Sequence, residues 1–168
     1  MTLGRLDADA DRFCTGHSLA AGEPLAGWGG HQSRNILIRW PKARWRHSLR
    51  IANGMSEALI TAAERAVAAG WRVNLIDRKG DVGPTNRILV FPASQFFDVA
   101  DDALPLVLDA IVEGAPVDAW APKPVTGRCV FVCTHGKHDR CCAKWGFAAY
   151  KALAHAGEQH SDAFDIWE

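Results

Sequence analysis

The chain has 168 residues, enough for one substantial core or for two small units that share one. Hydrophobic residues make up 48% and charged residues 23%, an ordinary globular balance, and 19 cations against 19 anions leave no formal net charge. That zero balance removes the electrostatic case for a nucleic-acid or membrane-surface partner, and no apolar run approaches the roughly 18 residues of a membrane span.

The opening stretch, Met1 to Arg12, carries three Asp and no apolar segment, so it does not read as a secretory leader. Residues 1–30 are rich in Gly and Ala without a clear period and are expected to form an irregular lead-in. Asn35–Trp40 reads as a buried strand stopped by Pro41. Met55–Ala69 places apolar residues at 55, 59, 62 and 66, which predicts a helix closed by Gly70. Trp71–Ile76 alternates as a strand, and Arg87–Phe91 is a third. Asp101 or Asp102 is expected to cap a second helix running to about Val112, with Pro105 in its first turn and Gly114 beyond its end. Residues 31–114 therefore form one α/β unit.

Residues 115–125 contain Pro116, Pro122 and Pro124 and read as a linker. From residue 126 the pattern restarts. Arg128–Cys133 is a strand, His135–Asp139 a polar loop, and Cys141 to about Ala156 a helix with Cys142, Trp145, Ala149 and Leu153 on one side. Gly157 ends it, and Ala163–Trp167 begins another strand. The second unit thus spans 126–168, and both units suit a helix packed on a small sheet.

Four of the five cysteines lie between Cys129 and Cys142, the odd one being Cys14. A secreted disulfide scaffold would spread them, so clustering points to metal binding or thiol redox in a reducing cytoplasm. Strand, loop and helix deliver Cys133 and the vicinal pair Cys141–Cys142 to one place. Asp139 is a natural N-cap, Gly136 lets the loop close, and the helix start with Lys137 and Arg140 nearby is expected to favour thiolate. Two such ligands with two more could hold an iron–sulfur cluster or a zinc ion. Cys133 with Cys141 or Cys142 could instead exchange disulfides, although the spacing is far wider than C-x-x-C. Cys129 and one of the pair could also be plain core residues.

The run Phe131-Val132-Cys133-Thr134-His135-Gly136-Lys137-His138-Asp139-Arg140-Cys141-Cys142-Ala143 resembles the signature of the sucrase/ferredoxin-like family. The resemblance implies a thioredoxin-like ferredoxin domain with a [2Fe-2S] cluster, an electron-transfer protein more than a catalyst, working with a redox protein partner. It maps the family's cysteine ligands onto Cys133 and Cys142. The two histidine ligands belong to an H-x-x-x-H segment that follows a Trp–Glu pair; here Trp167-Glu168 are the last residues, so the expectation is a ferredoxin unit cut short before that segment. His135 and His138 are substitute candidates flanking the site, with Cys141, Asp139 and Gly136 around it. His155 and His160, five apart at the far end of a helix, are poor candidates for one metal.

Other features carry less. Arg34 to Arg50 interleaves six cations with Trp40 and Trp45. A basic stacking patch for nucleic acid would look like this, but without a basic surplus the better reading is a solvated strand exit with core tryptophans, or a docking face for an acidic redox partner. Ser18 and Ser33 lack a nucleophile-elbow context, Gly27-Trp28-Gly29-Gly30 lacks the Lys of a phosphate-binding loop, and no carboxylate pair suggests hydrolysis.

Overall fold

The computed structural model describes residues 13–24, 30, 32–80, 83–158 and 164–168. Its organising element is strand β1 (Asn35–Arg39), whose Asn-Ile-Leu-Ile-Arg pattern sends Ile36 and Ile38 to one face of a sheet and Leu37 to the other. All three are buried, because both faces are covered. Helix α2 (Glu57–Ala68) links β1 to strand β2 (Arg72–Ile76), which pairs with it in parallel, Asn35 opposite Arg72. Ser56 starts the helix, its Oγ accepting from the Leu59 N–H at 3.2 Å.

Strand β3 (Asn86–Phe91) runs antiparallel on the other side of β1, and strand β4 (Gln95–Val99) runs antiparallel beside β3. Helix α3 (Leu104–Glu113) then returns over the same face as α2, and Gly114 closes it in the left-handed conformation at φ 68°. A parallel β-α-β half and an antiparallel β-β-α half thus meet at β1 and β3, the α/β arrangement expected of a thioredoxin-like unit. Leu59, Ala62, Ala63 and Ala66 of α2 and Leu104, Val107 and Leu108 of α3 fill the layer above Ile36, Ile38, Ile88 and Phe97.

Several sequence expectations change. The opening is not wholly irregular, since helix α1 spans Cys14–Ala20; residues 1–12 and 25–29 lie outside the described residues. Neither Asp101 nor Asp102 caps α3, whose first turn has no side-chain acceptor; Asp101 instead accepts a hydrogen bond from the Asn86 amide. Residues 115–125 hold a 3-10 turn (Asp118–Trp120) and strand β5 (Lys123–Pro124), which extends the sheet beyond β4 to give the order β2-β1-β3-β4-β5. Pro124 is accommodated because it sits on the edge strand.

Strands β6 (Arg128–Phe131) and β7 (Phe164–Trp167) form a separate parallel pair, Arg128 opposite Phe164 and Phe131 opposite Trp167. Between them lie the cysteine loop, a π-helical turn (Cys142–Gly146) and helix α4 (Phe147–Glu158). This unit covers the second face of the large sheet. Trp167, fully buried, packs with Leu37, Ile76 and Leu89, and Phe91, Phe96, Val125 and Cys129 border the cluster. Two backbone hydrogen bonds between Asp77 and Glu168, at 2.9 and 3.0 Å, and an Arg78–Asp165 ion pair fasten β7 to the end of β2.

Helix α4 is turned relative to expectation. Trp145, Ala149 and Leu153, placed with Cys142 on one side by their spacing, are exposed while Cys142 is half-buried, and Tyr150 is the buried residue of α4. Trp40 and Trp45 are both core residues. The longest described helices have 12 residues, and none is long and apolar enough to cross a membrane.

Candidate metal centre

Strand β6 ends at Phe131, and the Val132 N–H reaches back to the Trp167 carbonyl at 2.9 Å, aiming the next residues out of the sheet. Cys133 is exposed, whereas Thr134 and His135 turn inward and are buried. The Thr134 hydroxyl donates to the Glu168 carboxylate at 2.8 Å, and Lys42 Nζ meets the same oxygen at 2.5 Å. The residue after Cys133 is therefore clamped to the Trp167-Glu168 strand end.

The loop then makes a tight turn. The His135 carbonyl accepts from the N–H groups of His138 and Asp139, both at 3.0 Å, and His135 Nδ1 also accepts from the His138 N–H at 3.2 Å. The His135 ring packs against Trp45, with centroids 5.3 Å apart, and the His138 ring sits 5.4 Å from that of His47. Burial, the largest influence, holds the His135 imidazole below its usual range, so it is neutral near pH 7. With Nδ1 accepting, Nε2 carries the proton; it is buried, and the Ser48 backbone beside the ring offsets part of the effect of burial. Lys137 Nζ donates to the Trp45 carbonyl at 2.6 Å.

Asp139 caps the turn into the helix as its sequence position implies, its Oδ1 accepting from the Cys141 N–H at 2.7 Å. The π-turn follows at once and brings the helix hard against the loop. A Cβ on Gly146 would lie 2.0 Å from the Cys133 carbonyl oxygen, and one on Gly136 would lie 2.6 Å from the Ala143 Cβ. Only glycine at both positions permits this approach. It brings Cys142 close enough to Cys133 and Cys141 for both to act on its thiol.

The expected preference for thiolate does not hold at Cys142. Burial first, then the closeness of Cys133, Asp139 and Cys141, push its pKa up to about 12. The helix start and neighbouring cations do not outweigh these. Cys142 is therefore a protonated thiol, and a metal binding there has to displace that proton. Cys129 is also raised, by burial and then by the charge of Asp165, in keeping with its place at the edge of the Trp167 cluster.

Of the candidate residues, Cys133 and Cys142 are brought together, with Cys141, Asp139 and Gly136 around them. His135 and His138 turn toward Trp45 and His47. His155 is exposed at the far end of α4, 3.7 Å from Glu158. His160 and the Cys14 side chain lie outside the described residues. Among the described residues no three His, Cys, Asp or Glu groups are placed to hold one metal ion. The two cysteines thus fit two positions of a four-ligand set, and no described residue fills the other two.

Sequence reasoning missed Gly146, and the clamp of Thr134, Lys42 and Glu168. The available signal for Gly146 was a glycine inside a helical pattern four residues after Cys142, which weakens a helix unless close packing requires it.

A family model described as sucrase/ferredoxin-like matches residues 25–168 of the chain. No curated protein and no solved structure matches it.

Proposed function

The chain belongs to the sucrase/ferredoxin-like family, and from that premise we propose that it is an electron carrier in which Cys133 and Cys142 hold a [2Fe-2S] cluster. The observation that carries this reading is the closeness of those two cysteines, the Cys133 backbone packed against Gly146 four residues after Cys142, at an exposed loop against the first turns of a helix. Helix-start N–H groups directed at sulfur are what tune such a centre's potential. When bound, the cluster would supply one-electron redox chemistry. The protein's own part is to fix the two sulfurs: Asp139 holds the helix start, Gly136 and Gly146 allow helix and loop to touch, and the Thr134–Glu168 bond pins the backbone after Cys133.

The other two ligands come, on this reading, from outside the described residues. The resemblance assigns them to a segment following a Trp–Glu pair, and the Glu168 carboxylate is bonded to Thr134, one residue from Cys133. A segment following Glu168 would begin beside the site.

The closeness of the two cysteines also supports a second reading, a dithiol that cycles with a Cys133–Cys142 disulfide. One experiment separates the two. The protein is treated anaerobically with iron and sulfide, desalted, and its visible spectrum recorded before and after dithionite. The carrier reading expects absorbance that bleaches on reduction and is lost in Cys133→Ser and Cys142→Ser. A wild type as colourless as both variants, with a disulfide between the two residues that titrates reversibly, overturns it in favour of the thiol couple.

A further inference from the structure

The chain as a whole is neutral, but its charge is unevenly placed. No acidic residue occurs between Trp40 and Glu57, and Asp139 is the one acid between Cys129 and Glu158. The fold joins these two segments. Trp45 stacks on His135, His47 meets His138, and Lys137 bonds to the Trp45 carbonyl. Cys133 is exposed in the same loop as Lys137 and Arg140, also exposed, and that loop abuts the segment that carries the exposed Arg46.

These cations differ from many others in the molecule. Arg65, Arg78, Arg87 and Lys42 are each matched to a carboxylate, on Asp109, Asp165, Asp98 and Glu168. Arg46 bonds instead to the Asn53 side-chain oxygen at 2.7 Å, and Lys137 to a backbone carbonyl. Neutral acceptors orient a cation without cancelling its charge. Trp145, in the π-turn three residues after Cys142, is 51% exposed even with the Phe13 ring 6.4 Å from its own and Lys144 over it. Exposed Trp and Arg beside cations that, like Arg46 and Lys137, bond to neutral acceptors among the described residues is the composition of a protein-docking surface.

We propose that the cationic face around Cys133 is the docking surface for an acidic redox protein, with Trp145 as its apolar anchor. This rests on the electron-carrier reading and names the chemistry of the partner. A positive face on a neutral chain steers an acidic partner to the place where Cys133 reaches the surface.

The test does not require a loaded cluster. Alkylation of Cys133 by neutral iodoacetamide is followed by mass spectrometry on the full chain, alone and with either of two probes. The probes are flavodoxin, an acidic electron carrier, and cytochrome c, a basic one. At low ionic strength flavodoxin should slow the labelling of Cys133 by about threefold or more, and cytochrome c should not. Protection should vanish near 1 M salt, where the Debye length is ~3 Å. It should be lost in the Arg46→Glu/Lys137→Glu double variant and kept in Arg72→Glu, whose site lies at the opposite end of the sheet. Equal protection by both probes, no protection by either, or protection that survives salt or the double reversal overturns the docking face. Because the labelled protein is cluster-free, that failure is distinct from failure of the visible spectrum.

Discussion

At the scale of single residues the site depends on what is absent from Gly146. Its missing Cβ leaves room for the Cys133 carbonyl, which a methyl group would approach to 2.0 Å. Backbone cannot yield as the end of a flexible side chain can, so the π-turn or the loop has to move. Gly146→Ala should destabilise the protein by about 1–3 kcal/mol, the range for forcing a methylene into a packed site. The larger effect should fall on the centre, because a shift of the helix separates Cys142 from Cys133. A urea melt measures the first effect, and visible absorbance after treatment with iron and sulfide measures the second. Gly114→Ala provides a comparison, since a Cβ there meets nothing within 4 Å and only its positive φ opposes substitution. It should cost stability without loss of absorbance. Equal loss of absorbance in both variants would mean that Gly146 acts through general stability alone.

Among the elements, the β3–β4 hairpin carries a pH-dependent tie. Asp98 on β4 faces Arg87 on β3, with contacts at 2.8 and 3.0 Å, and Lys123 of β5 adds a third at 3.4 Å. Burial alone would push the Asp98 carboxyl up, but the hydrogen bond and charge of Arg87, then those of Lys123, hold it below the usual carboxylate range. A folded-state pKa below the unfolded one means that the unfolded chain binds the proton more readily. The tie therefore stabilises the protein above the unfolded Asp pKa of about 3.9 and is lost as pH falls through the folded value. Asp98→Asn should have a lower urea midpoint than wild type at pH 7, and the gap should close as pH falls below 4. A gap constant from pH 7 to pH 3 would remove the carboxylate from the account. The same strand shows where the sequence was hard to read. β1, β2, β3 and both long helices of the first unit were legible, because continuous apolar runs or a 3.6-residue period marked them. β4 was not, because it is short, follows β3 through Pro92-Ala93-Ser94, and carries Asp98 in its middle, an unfavourable strand residue until Arg87 lies opposite it. Helix α4 was legible as a helix but not in its facing. The π-turn inserts a wider turn between Cys142 and Phe147, so counting at 3.6 residues from Cys142 selects the wrong face, and no apolar pattern announces such a turn. Within the site, Cys133, Cys142 and Asp139 were legible from residue type and spacing. The rise in the Cys142 pKa was not, since burial depends on how tightly helix and loop close.

For the whole molecule the question is whether the two units are separate folding bodies or layers of one. β1 answers in its own side chains: Ile36 and Ile38 belong to the core under α2 and α3, and Leu37 to the cluster around Trp167. Neither layer can leave without exposing the strand at the centre of the other. Among the described residues Trp167 is the largest fully buried side chain, its Nε1 donates to Asp165 at 2.8 Å, and the Arg78 guanidinium lies 4.2 Å from its ring centroid. Trp167→Ala should cost about 3–5 kcal/mol, the range for deleting a buried aromatic side chain. If the layers are one cooperative body, the loss shifts the urea transition of the whole chain. Far-ultraviolet circular dichroism and the fluorescence of the buried Trp40 and Trp45 should then move to the same lower midpoint. If the cysteine-bearing unit were only appended, the fluorescence transition of Trp40 and Trp45 would stay at its wild-type position while the dichroism signal split in two. The single-body outcome also carries a consequence for the centre. Glu168, which anchors Thr134 beside Cys133, is the next residue in the chain, so removing the indole that seats β7 should loosen the Cys133 loop at a distance from it. In Trp167→Ala, alkylation of the exposed Cys133 should change little under native conditions, while the half-buried Cys142 should become several-fold faster to label as local opening becomes cheaper in free energy.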